Sequence, residues 1–207
     1  MILGFWPESA IYWPWDVWAV TWLLAALWTN RTVKRITIGQ EWPYRLITLF
    51  GFIFILFFFA QDSGDFVRGL PAHNLFAQRF WALPPAAGWV MVVLASVGFL
   101  FAWWARIHLG RLWSGTITRK TDHRVVDSGP YALVRHPIYT GVILAGFATA
   151  AEKGTAVGVL GALLLVIGYW MKARLEERFL REELGAEAYD SYRRRVPMLF
   201  PFGPKAA

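Results

Sequence analysis

Gly129-Pro-Tyr-Ala-Leu-Val-Arg-His-Pro-Ile-Tyr-Thr-Gly141 sets a turn, a cation, an imidazole and two phenols at the entrance of an apolar segment. Pro137 removes a backbone donor and fixes φ, which suits the first position of a helix and pushes His136 out of the α region. The stretch therefore predicts a helix that begins at Pro137, with His136 just outside and Tyr139 within its first turn. Gly141 leaves room for close approach by a neighbouring helix or a ligand. Free N–H groups and a positive dipole end make such a helix start a site for a carboxylate or phosphate.

Working outward, composition sets the surroundings of that helix. The chain has 207 residues, of which 57% are hydrophobic and 13 are Trp. Long apolar runs in such a chain indicate membrane spans. Lys and Arg number 21 against 14 Asp and Glu. In a membrane protein that excess anchors loops at an anionic cytoplasmic face, and no nucleic-acid partner is expected. The absence of cysteine excludes disulfides, thiolate metal sites and a Cys nucleophile. The first residues lack a basic n-region and a small-residue cleavage site, so no removable signal peptide is expected.

Apolar stretches predict spans at about 13–28, 44–60, 86–107, 137–151 and 155–171. Trp13, Trp15, Trp18, Trp22 and Trp28 suit the headgroup levels at the two ends of the first. The last two are short for a bilayer core that needs about 20 helical residues. Their Gly and Ala content suggests close helix–helix packing. Residues 29–45 carry Arg31, Lys34, Arg35 and Arg45 against Glu41, and residues 106–137 are also basic, whereas 61–86 and the turn 152–154 are balanced. That alternation places the N-terminus outside and the C-terminus in the cytoplasm. The expected fold is all-α, a polytopic integral membrane protein with about five transmembrane helices and a C-terminal cytoplasmic amphipathic helix. Residues 1–105 form its N-terminal spans, and residues 106–207 hold the loop, the helical hairpin and the C-terminal helices.

Beyond the fifth span a charged helix is expected from Lys172 to about Leu184, with Leu175, Phe179, Leu180 and Leu184 as its apolar stripe and Gly185 as its stop. Glu177–Arg181 and Arg178–Glu182 are spaced to pair along it. A second short helix carries Tyr189, Tyr192 and Arg193 to Arg195 and stops at Pro197, with the triple Arg on anionic lipid. An antiparallel hairpin puts Pro137 level with Tyr169 or Trp170, so Glu176 lies about 9 Å further out. Arg135, His136, Glu176 and Glu177 thus share one cytoplasmic mouth.

These residues carry a resemblance. Arg-His-Pro-Ile-Tyr-Thr-Gly at 135–141, preceded by Ser-Gly-Pro-Tyr at 128–131, resembles the Arg-His-Pro-x-Tyr-x-Gly signature of the isoprenylcysteine carboxyl methyltransferase and phospholipid methyltransferase superfamily. The tail Glu-Glu-x-x-Leu-x-x-x-x-Gly-x-x-x-Tyr-x-x-Tyr-x-x-x-Val-Pro at 176–197 is similar to the family's second motif. The resemblance extends from Leu109 to Phe202. It implies methyl transfer from S-adenosyl-L-methionine, yielding S-adenosyl-L-homocysteine, with the cofactor on the cytosolic side and the substrate admitted from the bilayer. It assigns Arg135 and His136 to the cofactor's amino-acid end and Tyr131, Pro137 and Tyr139 to its walls. Glu176 and Glu177 would bind the ribose hydroxyls or the ammonium, or position the acceptor. Arg174 and Glu176 are the candidates for the catalytic step, Arg174 by orienting a carboxylate acceptor; a snorkelling interfacial cation is the other reading of Arg174.

Methyl transfer is an in-line displacement that asks for placement and exclusion of water. No metal is expected, since His73, His108, His123 and His136 show no ligand spacing. His123 reads as a solvated loop residue or one that reaches the site, and Trp113 and Ser114 as a possible cover. The expected acceptor is a lipophilic small molecule or lipidated substrate presenting a carboxylate or thiol. The minimal N-terminal half fits a prokaryotic member in the cytoplasmic (inner) membrane. Two other readings stand beside this one. A sterol-type reductase would use NADPH, whose 2′-phosphate Arg119, Lys120 and Arg124 would hold. A non-catalytic scaffold would need the spans but not the polar mouth.

Overall fold

The computed structural model describes residues 6–56, 78–121 and 124–205. Residues 57–60 of the second expected span, together with His73 and His123, lie outside them. The elements in order are α1 Pro7–Ala10, α2 Trp13–Ala25, β1 Thr32–Arg35, α3 Ile38–Leu56, α4 Pro85–Leu109, β2 Thr118–Lys120, α5 Pro137–Lys153, α6 Ala156–Leu184 and α7 Ala186–Arg195. Short 3₁₀ turns at Gly110–Leu112 and Gly129–Ala132 frame the loop between α4 and α5.

The helix boundaries follow the punctuation in the sequence. Pro85 starts α4 and Gly110, at φ 58°, stops it. Pro137 starts α5, His136 stands outside at φ −126° and ψ 63°, and Gly154 closes it in the left-handed region. Thr155 caps α6 by accepting from the Gly158 amide at 3.2 Å. Three expectations need correction. First, α3 begins at Ile38, not near Tyr44, because Pro43 falls inside the helix. Second, no Gly or Pro separates the fifth span from the charged helix, so both are one 29-residue helix, about 43 Å long at 1.5 Å per residue. Third, the all-α expectation missed a two-stranded antiparallel ribbon that pairs Lys34 with Arg119 and Arg35 with Thr118.

Helix α5 lies between α4 and α6, and α3 packs on α6. Small residues permit these contacts: a Cβ on Gly141 would run into the Gly98 carbonyl oxygen, and one on Gly168 into Thr48. Trp15 of α2 fills the space between them, meeting Phe99 edge-on at 4.8 Å and donating its Nε1–H to Thr149 Oγ1 at 2.9 Å. The outward faces are apolar as well: Val90, Val93, Val97, Leu100 and Trp104 on α4, and Leu160, Leu163, Ile167 and Trp170 on α6, are exposed at helical spacing. Among the described residues, α4 with its 3₁₀ extension and α6 are long and apolar enough to cross a membrane.

Candidate active site

The turn at Gly129–Ala132 feeds Arg135 and His136 onto the end of the chain. Their backbone amides donate to the carbonyls of Pro197 and Met198 at 2.9 and 3.1 Å, and Thr140 Oγ1 donates to the Leu199 carbonyl at 2.5 Å. The stretch after α7 is thereby laid across the start of α5. Side chains repeat the tie. Arg135, 5% exposed, donates from Nε to Glu177 Oε1 at 2.6 Å and from Nη2 to Oε2 at 3.3 Å. Its Nη1 reaches the carbonyls of Arg193 and Val196. The Glu177 carboxylate, buried on α6, also stands 3.2 Å from His136 Nε2 and 3.3 Å from Arg193 Nε. A charge taken out of water must be met on all sides, and this one is.

Glu176, one residue earlier, points elsewhere. Its side chain keeps 29% of its surface exposed, and Oε2 accepts from Tyr139 Oη at 2.6 Å and lies 3.7 Å from His136 Nδ1. The rings of His136 and Tyr139 stack at 5.2 Å and 5°, and Tyr139 stacks on Tyr169 at 4.8 Å. Lys172 Nζ sits 5.1 Å over the Tyr139 ring and donates to the Gly115 carbonyl at 3.1 Å. These groups open on a cavity of about 400 Å³, within the range typical of small-ligand sites.

Of the residues singled out from sequence, Tyr131, Arg135, His136, Pro137, Tyr139 and Glu176 line this cavity, as do Trp113, Ser114 and Arg124. Glu177 does not; it stands behind, holding Arg135 and His136. Arg135 is correspondingly occupied by protein acceptors, with three of its nitrogens engaged. Arg174 is exposed on another face of α6, its guanidinium 5.5 Å over Trp170, and lines a different groove. Arg119 pairs with Glu183 at 3.4 Å and does not line the cavity. The two expected helix-surface pairs are not formed either: Arg181 bonds Asp190 at 2.9 Å, and Glu177 is taken by the tie. Among the described residues no group of His, Asp or Glu is arranged to hold a metal ion.

Sequence reasoning missed Lys172, Trp18 and Trp22, which also line the cavity. Tyr169, Lys172 and Glu176 sit at i, i+3 and i+7, one face of a continuous α6, and that spacing was a usable signal. Nothing local marks Trp18 and Trp22, because only the docking of α2 brings them in. Electrostatics around the mouth keep its phenols neutral. Burial pushes Tyr131 well above the ordinary tyrosine value, and the Glu176 charge adds to it. Burial also raises Tyr189 and Tyr192. Tyr131 and Tyr192 donate hydrogen bonds, to the carbonyls of Ala105 and Tyr131.

A helical hairpin whose polar mouth joins a His-Pro turn to a glutamate pair defines the class to which known proteins can be compared. Residues 89–182 match the isoprenylcysteine carboxyl methyltransferase (ICMT) family. It is 34% identical over 116 residues, 55% of this chain and 51% of the other, to the cobalt-zinc-cadmium resistance protein CzcN of Cupriavidus metallidurans. It is 46% identical over 71 residues, 34% of this chain and 26% of the other, to methanethiol S-methyltransferase 2 of Bradyrhizobium diazoefficiens. With the protein-S-isoprenylcysteine O-methyltransferase of Schizosaccharomyces pombe, identity is 32% over 103 residues, 48% of this chain and 43% of the other. The similarity thus spans about half the length of these relatives or less.

Proposed function

We propose that this chain is an S-adenosyl-L-methionine-dependent methyltransferase of the cytoplasmic membrane of a prokaryote. It has about five spans, with its N-terminus outside and its site on the cytoplasmic side. Its acceptor is a lipophilic molecule presenting a thiol or carboxylate that arrives from the bilayer. The observation that carries this reading is the cavity where Glu176, held by Tyr139 at 2.6 Å, faces a stack of aromatic rings. A carboxylate beside aromatic rings suits a cationic ligand, and the apolar remainder suits a nucleoside. The donor set therefore fits this cofactor. Two of the relatives carry methyltransferase names with a sulfur or an isoprenylcysteine acceptor, which supports the reaction class.

When bound, S-adenosyl-L-methionine supplies an electrophilic methyl group on a sulfonium. Glu176 would hold the cofactor's cationic part, and Tyr139 fixes that carboxylate's rotamer. His136, Tyr131, Pro137 and Arg135 wall the cavity, and Glu177 braces Arg135 and His136 from behind. Trp18, Trp22 and Trp113 keep water from the site. A carboxylate or thiolate acceptor needs no base.

Titrating S-adenosylhomocysteine and NADPH in parallel into detergent-purified protein tests the reading. Binding of S-adenosylhomocysteine alone, lost in Glu176→Ala, is expected. NADPH binding alone would move the protein to the reductases. Binding of neither by folded protein would favour the scaffold.

A further inference from the structure

A second, larger groove of about 730 Å³ lies between the β1–α3 junction and the charged end of α6. Its charged lining is Lys34, Arg35, Arg174 and Arg178 against Glu182. Lys34 is neutralised by Glu183 at 2.5 Å. Among the described residues, the side chains of Arg35, Arg174 and Arg178 make no ion pair or hydrogen bond. Arg174 and Arg178 are four apart on one helix, a spacing at which like charges repel. Two guanidiniums held there are poised for an anion.

The order of residues along that face says which anion. Leu163 and Ile167 are exposed and apolar, Trp170 follows at 48% exposure, and Arg174 and Arg178 come next. An acyl chain, the headgroup level and a phosphate meet a protein in that sequence, with Trp at the interface. Arg174 already lies over the Trp170 ring at 5.5 Å. We propose that this groove seats an anionic phospholipid, its phosphate on Arg174 and Arg178 with Arg35 opposite, its acyl chain along Trp170, Ile167 and Leu163. The site is distinct from the cavity at Glu176, and it rests on the membrane placement of α6 but not on methyl transfer.

Native mass spectrometry of the detergent-solubilised chain, titrated with phosphatidylglycerol or phosphatidylcholine, tests it. The wild type should retain phosphatidylglycerol preferentially. Each arginine-to-alanine change in the groove should weaken that binding about five-fold, and Arg174→Ala with Arg178→Ala together about 25-fold. Binding of phosphatidylcholine should not change. Far-UV circular dichroism checks the fold of the double variant, and if it loses helicity, Arg35→Ala on the ribbon decides instead. Equal retention of the two lipids, an unaltered double variant, or displacement of phosphatidylglycerol by millimolar inorganic phosphate would overturn the proposal. A chain that remains soluble without detergent would instead refute the membrane placement itself.

Discussion

Adjacent glutamates with opposite duties give the sharpest prediction. Glu177→Ala removes a 4% exposed side chain from two guanidiniums and an imidazole, at 2.6, 3.3 and 3.2 Å. Arg135 is then left buried with only backbone carbonyls for company. Breaking a buried pair in this way costs about 3–5 kcal/mol. Glu176→Ala removes a partly exposed carboxylate with one short hydrogen bond, from Tyr139. Its stability cost is about 1 kcal/mol, with the Tyr139 phenol able to turn toward water in the cavity. Unfolding of each variant by titration with a denaturing detergent, beside calorimetric titration with S-adenosylhomocysteine, separates the two. Glu177→Ala should unfold far earlier than wild type. Glu176→Ala should unfold nearly as wild type does and fail to bind. The reasoning is refuted if the stability costs are equal or reversed, or if Glu176→Ala binds the ligand normally while Glu177→Ala remains stable.

Gly141→Ala should cost about 1–3 kcal/mol by overpacking, since its methyl meets the Gly98 carbonyl and the Ala102 amide at 3.0 Å; the same unfolding titration reads it. Trp15→Phe keeps the ring packed against Phe99 but gives up the bond to Thr149, and should cost about 1 kcal/mol. The Asp190 carboxyl is held below its ordinary value chiefly by the hydrogen bond from Arg181. Its stabilising effect is therefore complete above its unfolded value, about 3.9, and fades as pH falls through the lower folded one. Asp190→Asn should accordingly trail wild type slightly at pH 7, and the gap should narrow as pH falls below about 3.9 in thermal melts. Because the chain has no cysteine, Ser9→Cys and Arg194→Cys can be labelled singly in intact cells with an impermeant maleimide. Labelling of Ser9→Cys alone is the expected result.

Much of the hairpin was legible because its signals are local. Pro137 fixes a helix start by sterics, Gly154 a stop by its left-handed φ of 66°, and the apolar runs between them leave little choice. Glu176 and Glu177 were legible as a pair, but their division of labour was not. Adjacent residues on a helix differ by about 100° in direction, and only the phase of α6 against α5 decides which one meets Arg135. Arg174 failed for the same reason: two residues before Glu176, it points away from the cavity and into the other groove. The ribbon was illegible because Thr32–Arg35 and Thr118–Lys120 lie far apart in sequence and have no alternating pattern.

The tie explains why two motifs some 40 residues apart in sequence belong to one device. Arg135 and His136 spend their amides on Pro197 and Met198 and their side chains on Glu177, so the wall of the cavity is built from three separate pieces of chain. None of the three makes the site alone. The segment leading into α5 supplies the turn, α6 the carboxylates, and the stretch after α7 the carbonyls that hold the turn in place. Tyr192 adds a fourth fastening, donating to the Tyr131 carbonyl at 2.8 Å from a buried position. The tail that reads in isolation as an amphipathic surface helix is thus a structural part of the cavity. Its Tyr189, Tyr192 and Val196 face inward as one apolar cluster, while the exposed Arg194 and Arg195 are left for the surface. Shortening the chain before Val196 would remove the acceptors of the Arg135 and His136 amides together, and so loosen the start of α5 before any residue lining the cavity had been touched.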